Sequence, residues 1–432
     1  MKFEFFRDIK LARPSALAEW EVRYAAESNL RAKFPPGEYK KSQEINLILK
    51  SQFQFYLDYL NQNIQQVSSL DFLEFILYLF DLSSEIESLH KKGELSIDET
   101  QKWREIGPIS RRALKYLSEK VVIAVSTKEM NKGRKARPSS LYYIAEKIII
   151  CSEEMAKIYQ LSDISFSTFP DYSRLVILPP GQELYLEFEV TKDGILIGEQ
   201  MHQRIVYDRL NRERFIPSEA SIFNISVQNE IIGDAFIETI GLSYREMIGI
   251  ISEIIRLAEP HSKNIPIPFI NKNTVLREIS RVSGTSKEIL RDVISGFSLT
   301  KQKMEAEGRE IWKPRQEYRA FKRGFFEVPH STGKHLIFSK KMAIESLNML
   351  VKGMVFKDIP SEWDNNKTQK AVSKLSNKAG QWFERNVEGH LAKIGFQGKQ
   401  SVAKLKFQDV RMRIPDEVGE IDYQGHFILK GA

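Results

Sequence analysis

The stretch EVGEIDYQGHFILKGA, residues 417–432, carries Glu420 and Asp422 two positions apart in an apolar, strand-like run. On a β-strand that spacing puts both carboxylates on one side. Carboxylate oxygens are the donors a hard cation such as Mg²⁺ prefers, and a bound cation activates water and neutralises charge developing on a phosphate. Upstream, SNKAGQWFERNVEGHLAKIGF, residues 376–396, reads as an amphipathic helix with Phe383, Val387, Leu391 and Ile394 facing inward and Gly395 ending it. Glu384 adjoins that face, where its carboxylate is expected to reach a neighbouring sheet. Between helix and acidic pair, the basic, alternating QSVAKLKFQDVRMRI reads as the first strand of that sheet.

The order GQWFE, a helix ending in GF, a strand, then GEID resembles the opening of the PD-(D/E)xK, restriction-endonuclease-like nuclease superfamily. The resemblance covers residues 373–432 and implies an Mg²⁺-dependent hydrolase of DNA phosphodiester bonds, an endonuclease-type activity. It makes Glu384 the helix carboxylate and Asp422 the central metal ligand, with Glu420 a weaker catalytic candidate. The family continues with a strand bearing Glu-x-Lys, whose Lys positions the attacking water, and two readings of that strand stay open. A turn at Gln424 and Gly425 sets Ile428-Leu429-Lys430 opposite Asp422, with Lys430 as the family lysine and Ile in place of its Glu. A turn near Lys430 and Gly431 instead puts the returning strand beyond Ala432. The second loses no ligand, and an uncovered Phe427 and Ile428 on an unpaired edge favour it. The chain is therefore expected to be truncated, a fragment or frameshift product without a complete site, and to cleave no DNA appreciably as 432 residues.

The rest of the sequence reads as a multidomain α+β protein. Residues 1–160 form a helical domain: apolar positions recur at spacings of three and four in SQFQFYLDYLNQNIQQV and LDFLEFILYLFDLSSEIESL, and SIDETQKW supplies a Ser or Asp cap. Phe53, Tyr56 and Tyr59 lie on these stripes as core. STKEMNKGRKARPSS is a basic loop. Residues 161–262 form a mixed α/β domain, with RLVILPPGQ, ELYLEFEV and GILIGEQMHQRIVYD as strands, a KDG hairpin turn, and YREMIGIISEIIRLAEP as a helix.

Residues 271–341 resemble a winged-helix module. Val275, Leu276, Ile279 and Val282 make one helical face, Gly284 breaks it, Thr285 or Ser286 caps a second helix, and Ile289, Leu290, Val293 and Ile294 make its face. GFFEVPH and GKHLIFS follow at hairpin distance, although the long insertion before them departs from the compact form. Residues 342–372 read as a helical linker and 373–432 as the partial, incomplete nuclease-like α/β domain.

Charge directs attention to the same module. The net charge is +7, and between Lys313 and Lys341 eight Lys or Arg face two Glu. A second run, Lys393 to Arg413, has six cations against Asp409. Such patches suit a polyanion, since each phosphate neutralised releases counterions. Lys287, Arg291, Arg315, Arg319, Lys322, Arg323 and Lys334 are the expected DNA contacts. A solvated basic face is the plain alternative for the charge, and helix, glycine turn, helix is also the commonest way to join two packed helices, a reading that stands ahead of DNA contact.

Other classes are set aside. The one cysteine, Cys151, follows an Ile triplet and reads as a buried, inert thiol. His330 and His335 stand five apart with no third ligand adjacent, which argues against zinc. LDFLEFILYLFDL is short and acidic for a membrane span, and the N-terminus lacks a secretory pattern, so a cytoplasmic protein with no membrane partner is expected. Self-association is left open. The alternative readings are a non-catalytic DNA-binding regulator working through 271–341, or a helical interaction scaffold with a degenerate nuclease remnant.

Overall fold

A computed structural model describes residues 1–125, 139–163, 173–180, 186–190, 222–260, 266–307, 317–393, 396–402, 404–407, 410–413 and 421–427. It is an α+β chain in two compact units: Met1–Ile216 with Ile248–Met349, and Pro217–Met247 with Leu350–Ala432.

The first unit opens on a hairpin, β1 (Lys2–Phe6) and β2 (Ile9–Arg13), in register Lys2↔Arg13 to Phe6↔Ile9. Sequence reading took this region as helical, because charges every few residues hide the short alternation. Five helices follow: α1 (Ala16–Arg31), α2 (Ser42–Val67), α3 (Leu70–Lys91), α4 (Ile97–Ala124) and α5 (Ser139–Asp163). Hydroxyl caps start three of them. Ser15 accepts from Ala18 N and Ser69 from Phe72 N, while Ser96 and Glu99 make a reciprocal capping box. Helix α2 packs on α5, and α3 and α5 pack on α4. Phe53 and Tyr56 enter this core as the stripe implied, and Tyr59 is half-buried against it. Cys151 is fully buried, and burial pushes its thiol pKa up, as an inert thiol requires.

Strand β3 (Gly37–Tyr39) joins β4 (Ser173–Ile177) and β5 (Leu186–Val190) in an antiparallel sheet of order β3-β4-β5. The strand expected over GILIGEQMHQRIVYD and its KDG turn lie outside the described residues. So does most of the basic loop, 126–138.

The helix-turn-helix forms at the expected residues. Strand β6 (Phe269–Asn271) leads into α8 (Lys272–Ser283), Gly284 takes the left-handed conformation (φ +70°), and Ser286 caps α9 (Lys287–Gly296) by accepting from Ile289 N. Val275, Leu276 and Ile279 are buried, as are Leu290, Val293 and Ile294. Val282 continues that face but is 60% exposed, in the last turn of α8 beside the glycine break. Strand β7 (Ser298–Thr300), α10 (Lys301–Ala306), and the hairpin β8 (Phe325–His330) and β9 (Gly333–Ile337) follow. The four-stranded sheet has the order β6-β9-β8-β7, with β7 parallel to β8. Leu299, Met304, Phe326, Val328 and Ile337 belong to the same hydrophobic cluster as α1 to α5.

In the second unit α6 (Ile225–Ile240), capped by Asn224, packs on the 28-residue α12 (Asn366–Lys393). Helices α7 (Tyr244–Leu257) and α11 (Lys340–Met354) carry the remaining unit boundaries. Helix α12 begins ten residues earlier than the expected start at Ser376, and the face it covers is not the expected one. Its covered seam runs through Thr368, Val372, Leu375, half-buried Ala379 and half-buried Trp382, which meets Phe223 edge-on at 6.1 Å. Phe383, expected to face inward, is 64% exposed.

The strands after α12 also differ from the expectation. QSVAKLKFQDVRMRI is not one strand. Its start belongs to β10 (Phe396–Val402), and the remainder forms a hairpin of β11 (Lys404–Phe407) and β12 (Val410–Arg413) in register Lys404↔Arg413. Period-two alternation reads the same in one long strand or two short ones, so it does not reveal where the strand folds. Strand β13 (Ile421–Phe427) pairs antiparallel with β10 from Phe396↔Phe427 to Val402↔Ile421. Gln424 and Gly425 pair with Lys399 and Gly398 inside it, so the turn considered at those two residues does not form.

Candidate functional site

Two sets of residues are candidates: the carboxylates of the second unit and the cations of the helix-turn-helix module. Glu384 lies in α12 two residues beyond Trp382, off the covered seam and half-buried. Asp422 lies on β13, between the pairs Val402↔Ile421 and Gln400↔Tyr423. Strand β10, its partner, follows α12 and packs against it. Glu420, Lys430 and Arg315 fall outside the described residues. Among the described residues no group of three or more His, Cys, Asp or Glu could hold a metal ion; the side chain of Asp422 is not among them.

The basic module separates into exposed and enclosed cations. Lys287 and Arg291 project from α9 into solvent, and Arg291 makes a 3.4 Å contact with Glu288 one turn back. Arg277 and Arg281 on α8 are also exposed, at 64% and 73% of their side chains, and share Glu278. Sequence reading passed over this second pair. Its signal is the i, i+4 spacing opposite Val275 and Ile279. Exposed ion pairs of this kind contribute little and exchange readily with a phosphate.

Lys334, on the hairpin, is exposed and contacts Glu327 at 2.8 Å, while Lys272 reaches the same carboxylate at 2.5 Å. Burial alone would raise the Glu327 pKa. Hydrogen bonds from Lys272 and Lys334 outweigh it and hold the carboxyl below its usual range.

Arg319 and Arg323 sit inside the unit. Arg319, 7% exposed, donates from Nε to Glu119 Oε1 at 3.1 Å. Arg323, 2% exposed, donates to the Gly296 carbonyl and meets Glu317 at 2.5 Å. Lys322 is half-buried between them in sequence, its backbone N–H bonded to the Arg319 carbonyl. His330 and His335 come together at the hairpin tip with ring centroids 4.7 Å apart, and His335 stacks on Phe269 at 4.6 Å. The outward cations that the structure brings to one helix-turn-helix are therefore Arg277, Arg281, Lys287 and Arg291.

No family model, curated protein or solved structure matches this chain. No helix among the described residues is long and apolar enough to cross a membrane.

Proposed function

We propose that this chain is a DNA-directed protein that contacts the duplex through α8 and α9 and belongs, by its C-terminal residues, to the Mg²⁺-dependent PD-(D/E)xK nuclease superfamily. One observation carries the DNA reading: a helix-turn-helix whose inner faces are buried and whose outer faces offer Arg277, Arg281, Lys287 and Arg291. The nuclease reading is supported by the order of parts, a helix bearing Glu384, a strand packed on it, and an antiparallel partner bearing Asp422.

Carboxylate oxygens suit Mg²⁺, and in this reading Glu384 and Asp422 hold it. When bound, the ion supplies charge neutralisation at the phosphate and an activated water. The cations of α8 and α9 hold the DNA backbone, which fixes position and not sequence.

Calorimetric titration of the full chain with Mg²⁺ tests the metal half of the proposal. A saturable site that is lost in Asp422→Ala and weakened in Glu384→Ala is expected. An unchanged isotherm in both variants overturns it. The second reading, a non-catalytic regulator, draws on the same helix-turn-helix. It is favoured if DNA binding is strong and salt-dependent yet indifferent to Mg²⁺ and to both carboxylate substitutions.

A further inference from the structure

The outer side of the first unit has a cleft that the DNA reading leaves unused. It lies among α1, α2 and α5, has a volume of ≈250 Å³, and is lined by Trp20, Glu21, Tyr24, Phe55, Tyr59 and Lys147. Trp20 and Tyr24, one turn apart on α1, stack nearly parallel (16°) with centroids 5.5 Å apart, and stay 61% and 60% exposed. Large aromatics this exposed forfeit the burial that ordinarily justifies them, and the stacked pair keeps ring surface open to solvent on its outer side. Beside it stands a polar pair: Lys147 Nζ donates to Glu21 Oε2, with Lys147 largely enclosed. That hydrogen bond holds the Glu21 carboxyl below its usual range, so it is an ionised acceptor.

We propose that this cleft binds a guanine base, stacked on the Trp20–Tyr24 surface with its hydrogen-bonding edge against the Glu21–Lys147 pair. The chemistry selects it step by step. The open outer face of a stacked aromatic pair takes a planar ring by continuing the stack. Guanine presents two adjacent N–H donors, suited to a carboxylate, next to a carbonyl suited to an ammonium. Adenine offers one amino donor beside a ring nitrogen, and uracil turns a carbonyl towards the carboxylate. An aliphatic ligand would leave the charged pair desolvated without partners. A quaternary ammonium, which aromatic sites otherwise favour, meets the like charge of Lys147. The volume lies just under the range of about 300–1,000 Å³ usual for drug-sized ligands, which suits one ring system.

The proposal does not rest on the nuclease reading, because its residues belong to the first unit and its test needs no metal. The same ring can come from a free nucleotide or from an unpaired base in a strand. Calorimetry of the full chain with GMP, AMP and UMP, and with a thymidine pentamer bearing or lacking a central deoxyguanosine, separates these. GMP is expected to bind more tightly than AMP or UMP. Trp20→Ala, at an exposed position that circular dichroism should show still folded, is expected to weaken GMP about tenfold or more. Glu21→Gln should narrow the preference for GMP over AMP while stacking persists. Tighter binding of the guanine-bearing pentamer than of GMP assigns the base to a strand; equal binding assigns it to the mononucleotide. No saturable GMP binding at millimolar concentration, equal GMP and UMP affinities, or a Trp20→Ala variant that binds GMP as well as the parent would each overturn the assignment.

Discussion

Arg319 Nε lies 3.0 Å from Glu119 Oε2, joining two side chains that are 8% and 1% exposed and two hundred positions apart. Glu119 also accepts from the Ala320 N–H at 2.6 Å. The pair ties α4 to the segment before the β8–β9 hairpin, and it is enclosed on both sides. Removing one partner breaks a charge-assisted contact that is buried on both sides. Arg319→Ala is expected to cost about 3–5 kcal/mol of stability. A double variant, Glu119→Gln with Arg319→Met, should recover much of that loss. Urea unfolding midpoints of the single and double variants check this, and a single variant within error of the parent would sink the structural assignment of Arg319.

The cations of α8 and α9 give a contrasting expectation. Lys287 and Arg291 are exposed, so changing both to Ala should leave unfolding midpoints almost unchanged. If each neutralises one phosphate, the slope of log affinity against log salt should fall by about two. Fluorescence anisotropy with a duplex across a salt series measures the slope. A slope that does not move removes these residues from the DNA contact.

Much of this was legible in the sequence, and the failures have physical causes. A Ser or Asp cap in SIDETQKW, and Gly284 followed by Thr285 or Ser286, are local chemistry, and the helices start there, on Ser96 and Ser286. The paired apolar runs GFFEVPH and GKHLIFS likewise made their hairpin. Arg319 and Arg323 show where reading stops. In a charge count they resemble Lys287, and Arg319 lies indoors against Glu119, two hundred positions away, with no sequence signal linking the two. The face a helix covers is equally non-local. The apolar spacing from Ser376 put Phe383 inward, whereas the covered seam of α12 runs to Trp382. The aromatic surface of Trp20 and Tyr24 went unread because one turn of spacing on an amphipathic helix looks like core until α2 and α5 are seen to leave it open.

Asp81 gives a pH dependence with a definite sign. Partial burial raises its pKa from 3.8 to about 6, against hydrogen bonds from Ser339 Oγ at 2.5 Å and the Lys341 N–H. A carboxyl whose pKa is raised on folding binds protons more readily in the folded state. Its contribution is therefore fully present below pH 3.8 and is lost as pH rises through about 6. Asp81→Asn keeps an acceptor for both donors and cannot ionise. The variant should match the parent near pH 4 and exceed it at pH 7 to 8 by up to about 3 kcal/mol. Unfolding curves across that range decide it; a constant difference with pH would mean that Asp81 titrates normally in the fold.

Gly107 is the position where a helix-favouring substitution should fail. It lies within α4, one residue before Pro108, and a Cβ there would come within 2.5 Å of Trp103 Cε2. The indole cannot step aside. It is 1% exposed, donates from Nε1 to Glu87 at 2.8 Å and meets Phe6 edge-on at 5.4 Å. Alanine gains about 1 kcal/mol over glycine in a helix interior. Overpacking a filled core costs about 1–3 kcal/mol. Gly107→Ala should thus bring no gain and lower stability by up to about 2 kcal/mol, against its propensity. Trp103→Leu removes the aromatic ring that the new methyl meets, so Gly107→Ala in that background should be neutral or stabilising. The coupling between the two, read from a double-mutant cycle of urea midpoints, isolates the clash. Additive effects would show that Gly107 is not held by Trp103.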